Sequence, residues 1–258
     1  MRRAVAVTLT GIPLAVAVFG PVLAGFTNAR RGPAYAFGPG YPLGTDGLGR
    51  DVLGLVLRGG LSTLALAAAA TVAAYGIGTL VGLLAAGTRR RWMDETLMRP
   101  LDVLLAVPAL LVLLLVAASA GRNAGIIVVV VTVVTAPAVA RLVRTAALDA
   151  ARHPAAEAMV LQGESWWAVH IGYVGRCIVR PLLADAGTRM TTSVYLVGAA
   201  NFLGVGLPPD AADWAVLVDR NRAGLLLQPW AVLVPAALIV AFTLGVNLLA
   251  DDLTRRRR

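Results

Sequence analysis

The sequence predicts an all-α membrane protein built from six transmembrane helices. Of its 258 residues 58% are apolar, against roughly 45–50% in soluble domains. Only 14% are charged, where about 25% is usual. The uncharged residues also gather into six runs, each long enough to cross ~30 Å of hydrocarbon as a helix. A water-soluble chain this apolar could not cover its core, and a disordered chain would be rich in charge. Length is that of one transmembrane domain, residues 1–258.

In chain order the spans fall at about 4–26, 61–87, 102–120, 123–140, 186–207 and 227–250. They read as helices because a lipid-facing backbone has to satisfy its own hydrogen bonds. A barrel would show ~10-residue alternating segments instead. Residues 126–134 are β-branched, a strand signal in water, but lipid solvation outweighs that preference. Pro108, Pro137 and Pro235 lie inside runs and predict kinks or local openings. Gly78 and Gly82 form a small-xxx-small pair suited to close helix approach; a chance match in a glycine-rich run is the alternative. The first run follows Arg2 and Arg3 as a signal peptide would, yet it exceeds the usual ~7–15-residue apolar core and reads as an uncleaved first helix.

Two connections are long. Residues 27–60 begin rich in turns. From Asp46 onward Leu48, Val52, Leu55 and Val56 recur at helical spacing, predicting a short surface helix capped by Thr45 or Asp46. The second connection, about 141–182, is too apolar to be disordered. Pro154 and Glu157 mark a helix first turn, and Gly163 and Ser165 mark its end. A short helix at about 155–162 follows, then a helical stretch from Trp166 back to the membrane. On pattern alone the short helix is equally a membrane-interface element or a docking element.

Arginine placement orients the bundle. With the N-terminus inside, the inner segments hold 16 Arg in 74 residues and the outer ones 7 in 48. The clusters 89–91 and 255–258 abut span ends, so both termini are expected in the cytoplasm of a bacterial inner membrane. The +9 formal charge then reads as topology and contact with anionic lipid, not nucleic-acid binding. No lysine is present, since all 23 basic residues are Arg, so a P-loop ATP site is excluded. One cysteine, Cys177, and two histidines, His153 and His170, exclude an internal disulfide and give no case for a zinc or haem site.

Five segments resemble, in order, the dipeptide/oligopeptide/nickel permease family of ABC importers. They are residues 44–53 (GTDGLGRDVL), 92–108 (WMDETLMRPLDVLLAVP), 157–163 (EAMVLQG, similar to the family's EAA loop), 201–209 (NFLGVGLPP, followed by Asp213 and Trp214) and 247–253 (NLLADDL). The chain departs from the family at Gly175 and Arg176, where a Leu-Pro pair is usual, and at Gln162 and Glu164. The resemblance implies a type I ABC importer permease-like fold with a cytoplasmic coupling helix. It implies a second permease subunit (in a hetero- or homodimer), two cytoplasmic ABC ATPase subunits that bind the ATP, and an extracytoplasmic substrate-binding protein. No cofactor is expected on this chain and no enzymatic activity of its own. Di- or oligopeptides are the implied cargo. A nickel or metal-chelate permease, or a non-transporting membrane anchor or assembly protein, are the alternatives.

The resemblance makes Glu157, Ala158 and Gly163 the expected ATPase-coupling residues. Dipole stabilisation of Glu157 and an ordinary helix stop at Gly163 are the bland readings beside it. Gly44, Thr45, Asp46, Gly49, Arg50 and Asp51 form the family's outer motif. Of these Asp46, Arg50 and Asp51 are read equally as a contact for the binding protein or partner permease and as local pairing. Asp185 and Arg189, four apart, predict an ion pair at the inner end of the fifth span. Asp102 is expected at the start of the third. No catalytic or metal-ligating set emerges, because the spans almost lack His, Asp and Glu.

Overall fold

The computed structural model of the chain describes residues 2–255, Arg89 and Val205 apart. Arg89 and 256–258, parts of the two arginine clusters, lie outside the described residues. Nine α-helices account for most of the described chain: α1 (Arg2–Leu23), α2 (Val52–Gly87), α3 (Arg91–Ala106), α4 (Ala109–Ala120), α5 (Ala124–Ala151), α6 (Pro154–Leu161), α7 (Gly175–Phe202), α8 (Trp214–Asn221) and α9 (Trp230–Arg255). A π-helical segment, Ala168–Val174, leads into α7.

Four helical stretches are long and apolar enough to cross a membrane: Arg3–Phe26, Val52–Gly87, Ala124–Ala151 and Trp230–Asp252. The third predicted span, 102–120, is broken. Its two pieces, α3 and α4, meet at 87°. The cause is Pro108, which forces Val107 into an extended conformation (φ −86°, ψ 132°) and caps α4. Asp102 therefore lies inside α3, not at the start of a span. α7 has 28 residues, length enough to cross, but its first fifteen carry Arg176, Arg180, Asp185 and Arg189.

Other boundaries also move. The surface helix predicted from Asp46 does not form separately. Asp46 folds its carboxylate back onto the Leu48 and Arg50 amides, and Thr45 pairs with Asp51. The helix can begin only after Asp51, which caps it by accepting from the Leu53 and Gly54 amides, and it then runs unbroken for 36 residues, about 54 Å. The fourth span continues past 140 to Ala151, because Arg141 pairs with Asp102 at 2.7 Å and Arg144 with Asp94, tying the extension to α3. The fifth ends at Phe202 instead of 207. Gly204 turns the chain with φ +70° and Asn201 Oδ1 accepts from the Leu207 amide. The β-branched stretch 126–134 is helical throughout.

Packing follows the small residues. The Gly78–Gly82 face of α2 lies against Val139, Ala140 and Val143 of α5. A methyl at Gly82 would stand 2.6 Å from the Ala140 carbonyl oxygen. α1 seats on α2 and α9 in the same way: Gly60 faces Ala17, and Gly245 faces Leu9 and Thr10. The main core lies among α2, α5, α7 and α8, with Leu64, Ala67, Val131, Val197 and Trp214 all buried.

Candidate functional site

Helix α6 stands almost free of the bundle. Pro154 opens it in the first turn and Glu157 sits beside the positive helix end. Its termination is a Schellman motif. The Gly163 amide donates to the Val160 carbonyl (3.0 Å), and the Glu164 amide donates to the Met159 carbonyl (3.1 Å). Gly163 takes φ +78°, with open space around its Cα. Glycine is thus required there for conformation, not for room. Only Ala156 of α6 is buried. Glu157 and Ala158 are exposed, as are Val160 and Leu161, the last at 88%. An isolated eight-residue helix is marginal in water, so α6 is held by its rigid flanks.

One flank is the α5 extension. The other is Trp166, whose indole Nε1 donates to the Gly87 carbonyl oxygen at the end of α2 (3.1 Å). Its ring stacks on His170 (centroids 4.5 Å, 9° between planes) and meets Trp167 edge-on. His170 Nδ1 lies 3.2 Å from the Trp166 carbonyl oxygen, a contact that requires Nδ1 to carry the proton. A side chain on Gly87 would strike Trp166. The π-helical segment follows at once. At Gly175 and Arg176, the departures from the family's Leu-Pro, the chain passes from π to α without a proline break.

Further along α7, Asp185 and Arg189 form the expected pair at 2.8 Å. Tyr75 of α2 donates its hydroxyl to the same carboxylate (3.1 Å). Arg180, Thr188 and Tyr195 of α7 are exposed along one side of the helix.

The opposite end of α2 carries the outer motif, and here the residues turn inward. Thr45 and Asp46 are fully buried and Asp51 is 5% exposed. Thr45 accepts from the Ala36 amide and donates to the Pro33 carbonyl. Asp46 binds Arg50 (3.0 Å) and Arg220 (3.3 Å). Gly44 and Gly49 both take positive φ and abut Gln228 and the Gly32 carbonyl, respectively. Asp46 and Asp51 are thus engaged in local contacts, Asp46 with two arginines and Asp51 with the α2 N-terminus. Burial, together with the Arg50 charge, holds the Arg220 guanidinium below its ordinary value.

Beside this knot sits a second polar hub. Asp213 is fully buried. It caps α8 by accepting from the Ala215 and Val216 amides. It also accepts from the Thr63 hydroxyl (2.8 Å) and from Asn201 Nδ2 (3.0 Å). Trp214, also fully buried, donates Nε1 to the Val56 carbonyl. Burial pushes the Asp213 carboxyl up, and these hydrogen bonds oppose that shift without cancelling it. Asn201, Asp213 and Trp214 were visible as a family-like motif. Thr63 and Arg220, 150 residues or more from their partners in the knot, carried no sequence signal.

The described residues thus form a bundle of membrane-crossing helices with an exposed stub at one end. Residues 78–258 match the family described as binding-protein-dependent transport system inner membrane component, and the chain belongs to that family. It is a multi-pass inner-membrane permease component. The glutathione transport system permease protein GsiD of Pectobacterium atrosepticum is 31% identical over 228 residues, 88% of this chain and 74% of that protein. The dipeptide transport system permease protein DppC of Alkalihalophilus pseudofirmus is 27% identical over 92% of this chain and 79% of its own. The di/tripeptide transport system permease protein DppC of Pseudomonas aeruginosa is 29% identical over 82% and 69%. Among solved structures, an amino acid ABC transporter crystallised with histidines shares the fold. It has TM-score 0.56 and 20% identity over 76% of this chain and 91% of that one.

Proposed function

We propose that this chain is one permease subunit of an ABC importer for di- or oligopeptides, with both termini and α6 in the cytoplasm. The observation that carries this reading is α6: a capped helix with Val160 and Leu161 exposed, mounted between the rigid α5 extension and Trp166. An exposed apolar pair on a short helix suits contact with another surface. A groove on an ABC ATPase is the fit that the family membership supports. Glu157, Ala158 and Gly163 are the coupling residues on this reading, the first two as contacts and the third as the turn that aims them.

ATP binding and hydrolysis belong to two ATPase subunits, and this chain supplies no covalent chemistry. Their closure displaces α6. The displacement passes through the α5 extension and, by the Trp166–Gly87 bond, into α2, so that helices tilt as rigid bodies and expose the path to one side at a time. A second permease completes the path, and a binding protein delivers cargo to the Asp46 end. The exposed Arg180, Thr188 and Tyr195 of α7 support a place along that path, because polar side chains at membrane depth face protein or water, not lipid. The relatives named for dipeptide, di/tripeptide and glutathione transport support a peptide cargo.

The test is a pull-down and uptake pair. Cysteines placed at Val160 or Leu161 in a Cys177→Ser background should crosslink to a co-expressed ATPase. Vesicles carrying the full complex should take up labelled dipeptide in an ATP-dependent manner. An absence of crosslinking and of ATP-dependent uptake of any peptide would refute the proposal; uptake of a nickel chelate alone would refute its cargo.

A further inference from the structure

At the Asp46 end, a cavity of about 270 Å³ opens between the segment following α1 and the first two turns of α2. Four arginines line it, Arg30, Arg31, Arg50 and Arg58, along with Thr27 and Asp51. The nearby acids are already engaged. Asp51 is spent on the α2 N-terminus, and Asp46 is shared between Arg50 and Arg220. The cavity therefore keeps a surplus of positive charge.

Its donors are also under-used. Arg50 Nη2 is shielded from solvent and meets no acceptor among the described residues. Arg58 Nη2 reaches the Ala24 carbonyl at a long 3.4 Å. Arg30 and Arg31 are exposed at the rim. Four arginines around one space match a tetrahedral oxyanion better than any neutral group.

Position narrows the source of that anion. Arg58 bonds the backbone where α1 ends, so the cavity floor lies level with the end of an apolar span. Val22, Leu23 and Phe26 are exposed there at 72%, 50% and 87%. An arginine cluster directly above bare apolar surface has the layout of a headgroup site with room for acyl chains alongside.

We propose that this cavity binds a phosphate group through Arg30, Arg31, Arg50 and Arg58, and that the phosphate belongs to an anionic phospholipid of the adjoining leaflet. The site is separate from the coupling element. It holds the segment after α1 against α2 at the end of the bundle remote from α6.

The experiment uses the full chain purified in detergent and titrated separately with dioleoylphosphatidylglycerol, dioleoylphosphatidylcholine and inorganic phosphate. Thermal unfolding and native mass spectrometry are the readouts. The wild type should bind phosphatidylglycerol, rise in melting temperature with it, and respond little to phosphatidylcholine. An Arg30→Gln/Arg31→Gln variant, altered only at exposed side chains, should lose about tenfold in phosphatidylglycerol affinity, the equivalent of ~1.4 kcal/mol. Arg99→Gln, an exposed arginine paired with Glu95 on α3, serves as the control and should leave the affinity unchanged. If inorganic phosphate gives the same arginine-dependent stabilisation as phosphatidylglycerol, the phosphate site stands and its lipid source is overturned. Equal lipid affinity in the Arg30/Arg31 variant and the wild type overturns the site itself.

Discussion

The indole of Trp166 donates to the carbonyl of Gly87, so the loop that follows α6 is bonded to the last residue of α2. The same helix is capped by Asp51 and bonds the Asp213 hub through Thr63. One unbroken helix thus joins the stub at one end of the bundle to the polar knot at the other.

Replacing Trp166 with Phe keeps much of the ring packing and removes the donor. One hydrogen bond is worth about 1 kcal/mol, so folding should survive. Peptide uptake per ATP hydrolysed in reconstituted vesicles should fall roughly fivefold, the effect of ~1 kcal/mol on a coupling equilibrium. Unchanged coupling in Trp166→Phe would mean that the bond transmits nothing.

At Gly163 the constraint is dihedral. Alanine at φ +78° should cost about 1–2 kcal/mol locally, and asparagine less. Proline, fixed near φ −65°, cannot adopt the turn at all. Uptake should therefore rank wild type, Asn, Ala, Pro, with the proline variant inactive although inserted in the membrane. Full transport by Gly163→Pro would remove α6 from the mechanism.

Within α2 two glycines make a matched pair. Gly76 has open space around it, while a side chain at Gly82 meets Ala140 and Val143. Leucine at Gly76 should leave the detergent unfolding temperature nearly unchanged. Leucine at Gly82 should lower it by an amount corresponding to about 1–3 kcal/mol, the usual cost of overpacking. Equal effects from the two would contradict the close α2–α5 approach.

Asp213 yields a signed pH dependence. Its folded value is raised by burial, so the folded state takes up its proton more readily than the unfolded state does. Its contribution is complete below the ordinary carboxylate value and is lost as pH rises through the raised one. An Asp213→Asn variant, neutral at all pH, should gain stability relative to wild type in denaturation experiments as pH rises above the ordinary carboxylate value. Asp213→Ala should be destabilised at every pH by about 1–3 kcal/mol for each buried donor left unsatisfied. A wild type that gains on the Asn variant with rising pH would reverse the assigned sign.

Much of this was written locally. Uncharged runs dictate membrane helices, because a backbone in hydrocarbon has no partner but itself. Pro154 and Gly163 delimit α6 within a residue of its position, since caps and stops are decided by neighbours in sequence. The Asp185–Arg189 pair follows from i,i+4 spacing. Tertiary structure decided the rest. Pro108 announced a kink, but the 87° break came with α3 anchored to α5 through Asp94–Arg144 and Asp102–Arg141. For Asp46 and Asp51 the sequence left partner contact and local pairing equally open, and only the tertiary structure shows Arg220 and the α2 N-terminus beside them. Thr63 meets Asp213 across 150 residues. Such contacts depend on how helices dock, a matter of shape and burial summed over the whole bundle, and no short window of residues encodes them.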